Sequence, residues 1–183
     1  MWRVHRQSHN PLISQSLLSN LFTMNNDHST HLRTAIAVAR RAREKGNHPF
    51  GAILVDADGA VLLEAENTVN TEHDCTGHAE TNLVRMACRR FDRDVLERCT
   101  LYTSTEPCAM CAGAIHWSGI GRVVYGLGEK GLYALTSDGT NLDNETMTLP
   151  CREVFARCVR PVAVIGPLLE DEARTVHEGF WTR

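Results

Sequence analysis

Two short clusters, His78-Ala79-Glu80 and Pro107-Cys108-Ala109-Met110-Cys111, constrain this 183-residue chain more than any other feature in it. They bring three soft or borderline metal ligands together with one carboxylate. Cys108 and Cys111 stand three apart, so if they open a helix both sulfurs lie on one face of its first turn and can hold a single ion. The run from Ala109 to Trp117 reads as that helix, with Pro107 near its start, where a missing N–H costs least. A helix N-terminus also favours thiolates. His78 and Glu80 are two apart, which on a regular helix separates them by roughly 200° at ~3.6 residues per turn. Both can face one ion only if His78 sits at a non-helical entrance and Glu80 in the first turn of a helix running through Leu83, Val84, Ala87 and Cys88.

Three protein ligands leave a fourth position for water, which marks a catalytic zinc rather than a structural one. Zinc lowers the pKa of that water from about 15.7 to about 7, and a carboxylate that is not a ligand, Glu80, can then shuttle its proton. The rival arrangement uses Cys75, which forms a C-x-x-H pair with His78 and would close a Cys₃His tetrahedron with Cys108 and Cys111. The chain would then be a structural-zinc interaction module. That alternative leaves Glu80 without a role, whereas the order His-x-Glu then Pro-Cys-x-x-Cys is the one zinc deaminases carry.

The surrounding sequence extends the pattern. His48-Pro49-Phe50-Gly51-Ala52-Ile53-Leu54-Val55, Ala65-Glu66-Asn67, Thr76-Gly77-His78-Ala79-Glu80 and the run from Leu101 to Ile115 resemble the cytidine deaminase superfamily. The branch is the one that holds guanine deaminases, fungal-type cytosine deaminases and tRNA adenosine deaminases. The resemblance implies one zinc per chain held by His78, Cys108 and Cys111, Glu80 as the catalytic proton shuttle, Asn67 as a base-binding residue, and association into a homodimer. One departure is Asp74-Cys75-Thr76-Gly77, where relatives usually carry Asp-Pro-Thr-Ala. The likeness fades after Gly126, in the part where substrate choice is expected to be made.

Periodicity gives a helix from about Thr30 to Lys45, strands at 51–56 and 61–67 joined by a turn at Asp58-Gly59, and the Glu80 helix to Arg90. A strand at 100–104, the Cys108 helix and a strand at 122–125 follow. Then come a loop over 136–149, a short helix near 152–157, a strand at 162–165 and a last helix from about Leu168. A hairpin followed by alternating strands and helices predicts an α/β fold, a single three-layer α/β/α domain with a mixed central sheet, cytidine deaminase-like. Residues 1–26 carry arginines and serines but no acidic side chain and are expected to be a disordered extension, with the deaminase domain spanning 27–183. Seven cysteines without a disulfide-like framework suit the cytoplasm, and no apolar run is long enough to span a membrane.

Substrate residues are read more coarsely. Phe50 and Trp117 could sandwich a flat ring, Phe180 and Trp181 could dock over the site, and Glu106 beside the cysteines could orient neighbouring groups. The net charge of −3 provides no broad basic field, so a small neutral substrate is expected rather than nucleic acid. The expected reaction is hydrolytic deamination of a free nucleobase, guanine first, a cytosine-type base second and tRNA adenosine third. The expected dimer contact is the helix bearing Ile115 and Trp117.

Overall fold

The computed structural model describes residues 15–136 and 147–181, with side chains from His28 onward. Five strands form one sheet in the order β2-β1-β3-β4-β5: β1 (Gly51–Val55), β2 (Val61–Glu66), β3 (Thr100–Thr105), β4 (Arg122–Leu127) and β5 (Ala163–Ile165). The β1–β2 and β1–β3 pairs are antiparallel, whereas β3, β4 and β5 run parallel. The sheet is mixed, as expected. All of β1 and β3 and nearly all of β4 are buried, which is why they read as continuous apolar or small-residue runs rather than as alternations.

Both faces are covered by helices. Helix α1 (Gln15–Glu44) lays the stripe Leu32, Ala35, Ile36, Ala39 and Ala42 over one face, where Ile53, Val55, Tyr102 and Val124 meet it. The approach is close. A Cβ on Gly51 would lie 2.3 Å from the Ala39 nitrogen and 2.6 Å from the Ala35 oxygen, so only glycine lets β1 start beneath this helix. Helices α3 (Ala79–Arg90), α5 (Ala109–Ser118) and α7 (Cys151–Phe155) cover the other face, packed on Ala52, Leu54, Leu101, Val123 and Tyr125. The period-two exchange of neighbours between the two cores is what a strand buried on both sides requires.

Three helices were not expected from periodicity: α2 (Val69–Glu72), α4 (Arg93–Leu96) and α6 (Glu129–Thr136). The first two are single turns, too short for a stripe to register. Helix α1 starts at Gln15 rather than near Thr30, so its backbone crosses the boundary expected at residue 26 without a break. Residues 1–14 of the expected extension, and 137–146 of the expected loop, lie outside the described residues. The last helix, α8 (Glu170–Arg174), continues into a 3₁₀ turn at Thr175–His177.

Candidate active site

The parallel strands β3 and β4 end at Thr105 and Leu127, and beside those carboxyl ends the starts of α3 and α5 lie against each other. Open α/β sheets place their ligands in this position. His78 is the residue before α3, in extended conformation at φ −67° and ψ 149°, and Glu80 lies in the first turn. Cys108 holds the same position before α5, at φ −64° and ψ 170°, and Cys111 lies one turn in. The geometry expected for His78 and Glu80 is therefore the one observed.

The loop leading to His78 is held by its own hydrogen bonds. The Asp74 carboxylate accepts from the Thr76 amide at 2.8 Å and from the Thr76 hydroxyl at 2.6 Å. The Gly77 carbonyl accepts from Thr68 N at 2.8 Å and from Asn82 Nδ2 at 3.2 Å. A Cβ at position 77 would stand 2.8 Å from the Thr68 hydroxyl, so glycine suits this particular loop.

His78, Cys108 and Cys111 form a group whose ligand atoms all lie within 4.8 Å of one another. His78 Nδ1 is 3.6 Å from Cys108 Sγ and 3.5 Å from Cys111 Sγ. A tetrahedral ion with Zn–N of about 2.0–2.1 Å and Zn–S of about 2.3 Å requires N···S separations of about 3.5 Å, so the donor set fits zinc. The Cys111 thiol donates to Cys108, which holds the Cys108 thiol down to about 4, with His78 also lowering it. The same bond, together with burial, pushes the Cys111 thiol up. A divalent ion bound here would be held by both sulfurs as thiolates, their protons being displaced to solvent or a base when the ion binds. Cys75 is exposed and stands outside this group, although it lines the cavity beside it.

Glu80 is buried at 4% exposure and accepts a hydrogen bond from Thr103 Oγ1 at 2.7 Å. Burial raises its pKa, opposed by the Thr103 bond and the neighbouring His78. Its second oxygen lies 3.5 Å from Cys111 Sγ. One carboxylate oxygen is thus fixed by Thr103, while the other faces Cys111 in the candidate ligand group.

A cavity of about 370 Å³ opens over these groups. Phe50 and Trp181 line it, together with His48, Glu129, Leu132 and Met147. Asn67 is fully buried and is not among the residues that line the cavity: its backbone amide donates to Phe50 O at 3.1 Å, its Oδ1 accepts from Val69 N at 3.1 Å, and its Nδ2 has no partner among the described residues. A buried donor without an acceptor costs about 1–3 kcal/mol, and a ligand that supplies the acceptor recovers it. Phe180 does not reach the cavity. It backs Trp181 edge-on at 4.8 Å, under the Arg43 guanidinium.

Trp117, too, stands outside the cavity: it is 78% exposed on the outer side of α5. Ile115, two residues earlier, is fully buried in the core, which takes it out of the expected dimer face as well. Glu106, by contrast, is neither solvated nor idle. Its carboxylate accepts from the Glu129 amide at 3.0 Å and from the Cys151 amide at 2.9 Å, tying the starts of α6 and α7 to the end of β3. This places Glu129, at 5% exposure, in the cavity wall. Sequence reading missed Glu129, whose only signal is its position just beyond the end of a parallel strand.

The three-ligand and four-ligand sites separate in one experiment. Cys75→Ser is expected to retain about one zinc per chain, whereas Cys108→Ser loses it, as read by metal analysis of the purified proteins. Equal loss in both variants would establish the structural tetrahedron.

Among the described residues no helix is long and apolar enough to cross a membrane. Residues 25–127 match the model of the cytidine and deoxycytidylate deaminase zinc-binding region. The chain is 45% identical over 151 residues to a probable cytosine deaminase of Schizosaccharomyces pombe, covering 82% of this chain and 90% of that protein. It is 43% identical over 100 residues to the guanine deaminase of Bacillus subtilis, covering 54% of this chain and 64% of that one. A solved structure from studies of A-to-I editing by tRNA:A34 deaminases superposes with a TM-score of 0.64 at 29% identity, covering 81% of this chain and 99% of that chain. The match of the whole motif region, on a sheet and a ligand group built as a zinc site requires, establishes that the chain belongs to the cytidine deaminase superfamily of zinc-binding deaminases.

Proposed function

We propose that the protein hydrolyses the exocyclic amino group of a free nucleobase or similar amino-heterocycle, with guanine to xanthine and ammonia as the leading reaction. The observation that carries this reading is Glu80, a buried carboxylate outside the ligand group, pinned by Thr103 where the cavity meets the two cysteines. A bound zinc would supply a water activated at neutral pH. Glu80 would take the first proton of that water and hand it to the ring nitrogen beside the reacting carbon, then carry the second, released as the new C–OH becomes C=O, to the departing amine, which leaves as ammonia. Asn67 Nδ2 suits a carbonyl of the base, and the Glu129 carboxylate suits a ring N–H. Phe50 and Trp181 offer flat apolar walls suited to a planar base, with Leu132 beside them.

Cytosine is the second reading, supported by the likeness to the Schizosaccharomyces pombe protein over most of both chains. A tRNA adenosine substrate is third, because a net charge of −3 offers little to a polyanion. Ammonia release measured across guanine, cytosine, adenine, their nucleosides and a tRNA anticodon stem-loop decides among them. Guanine is expected to turn over faster than guanosine. Efficient inosine formation in the stem-loop, or cytosine consumed well ahead of guanine, would reassign the substrate. We take residues 27–183 as the deaminase domain and the cytoplasm as its compartment, with seven free thiols in support.

The working form is a homodimer. Helix α5 is apolar around its whole circumference, and Met110, Gly113, Ala114 and Trp117 share its outer face at helical spacing. Sedimentation at micromolar concentration should give a dimer that Trp117→Arg shifts toward monomer. A fully active monomer in the unmodified protein would refute this.

A further inference from the structure

We propose that His177 is the positioning residue that holds Trp181 in place as the outer wall of the cavity. His177 closes the 3₁₀ turn after α8, and its ring is 1% exposed. Its Nδ1 lies 3.3 Å from Trp181 Nε1, and its Nε2 lies 3.4 Å from the Thr105 hydroxyl. The indole N–H only donates, so Nδ1 must be the accepting nitrogen, and the single proton of the neutral ring sits on Nε2, facing Thr105. Thr105 is the last residue of β3, so the imidazole forms a strut from the rigid sheet to the indole. The two rings lie nearly parallel, 15° apart at 6.0 Å, and Phe50 packs on the strut at 5.3 Å.

The strut stays neutral near pH 7. Burial, with Arg43 and Arg174 adding, lowers the pKa of His177 to about 4. A second proton would sit on Nδ1, the atom that accepts from Trp181, so the same burial that lowers the pKa also preserves the bond. Phe180 meets the Trp181 indole edge-on at 4.8 Å, His48 lies at 5.4 Å and 51°, and Phe50 at 6.1 Å and 45°.

The inference rests on the proposed use of the cavity as a base site, yet its test has a reading that needs no substrate. Hydrogen exchange of the Trp181 indole N–H is followed by NMR in the zinc-loaded protein, the signal being assigned with Trp181→Phe, alongside steady-state kinetics on the base that the substrate panel selects. In His177→Phe the indole N–H is expected to exchange at least ~10-fold faster, the loss of one buried hydrogen bond. KM should rise by a similar factor with kcat within ~3-fold, because a wall that binds but does no chemistry acts on KM. His177→Gln, which can accept with its oxygen and donate with its nitrogen, should restore both readings to within ~3-fold of the unmodified protein. Thr105→Val removes the far anchor of the strut and serves if His177→Phe does not fold; it should show the same direction of change. The double variant His177→Phe with Trp181→Phe should be no worse in KM than Trp181→Phe alone, since one residue acts through the other. Unchanged indole exchange in both His177→Phe and Thr105→Val would overturn the proposal, as would a fall in kcat at constant KM. If no base is turned over at all, the exchange data still decide the role of His177 while the reading of the cavity fails separately.

Discussion

Glu80→Gln is expected to lower turnover by at least ~10²-fold while leaving the fold and the zinc content in place. The substitution keeps the size of the side chain, and the amide oxygen can still accept from Thr103 Oγ1, so the 2.7 Å bond that fixes the carboxylate has a substitute. What the amide cannot do is take up a proton and return it. Because Glu80 lies outside the ligand group, metal analysis should find the variant fully loaded. Ammonia release, metal content and circular dichroism on the same preparation separate the outcomes: near-normal turnover would remove Glu80 from the chemistry, and loss of zinc would make it part of the metal's support.

Glu106→Ala should destabilise the protein by about 2–6 kcal/mol. It removes the acceptor for two buried backbone amides, those of Glu129 and Cys151, and each unsatisfied donor costs about 1–3 kcal/mol. Against a total stability of about 5–15 kcal/mol this is a large fraction, and for a chain of this size it corresponds to a fall in Tm of roughly 4–24 °C. Helices α6 and α7 both start at these amides, so the cavity wall carrying Glu129 and Leu132 should loosen before the sheet does. Glu106→Gln keeps one acceptor and places an amide donor against the second N–H, so it should fall between. Thermal unfolding read by circular dichroism checks both, and an unchanged Tm in Glu106→Ala would show that these bonds do not hold the two helices.

Much of the site was legible because its ligands are local. His78 and Glu80, two apart, can serve one centre only across a helix start, and Cys108 and Cys111, three apart, only within a first turn; both constraints hold in the fold. The buried strands were legible as apolar runs bounded by turn residues. Trp117 was misplaced for a physical reason: α5 is apolar all round, so no stripe marks which side faces the core, and Ile115 and Trp117 point to nearly opposite sides. Glu129 and His177 were not visible at all. Their roles come from contacts with Glu106 and Thr105 across long stretches of chain, which no local pattern records.

Titrating zinc into the chelator-treated protein while following ammonia release from guanine tests the central claim most directly. The expected result is activity that rises in proportion to bound metal and saturates at about one zinc per chain, with neither rise nor binding in Cys108→Ser. Full activity in the metal-free protein, or a saturated site that releases ammonia from no amino-heterocycle, would contradict it.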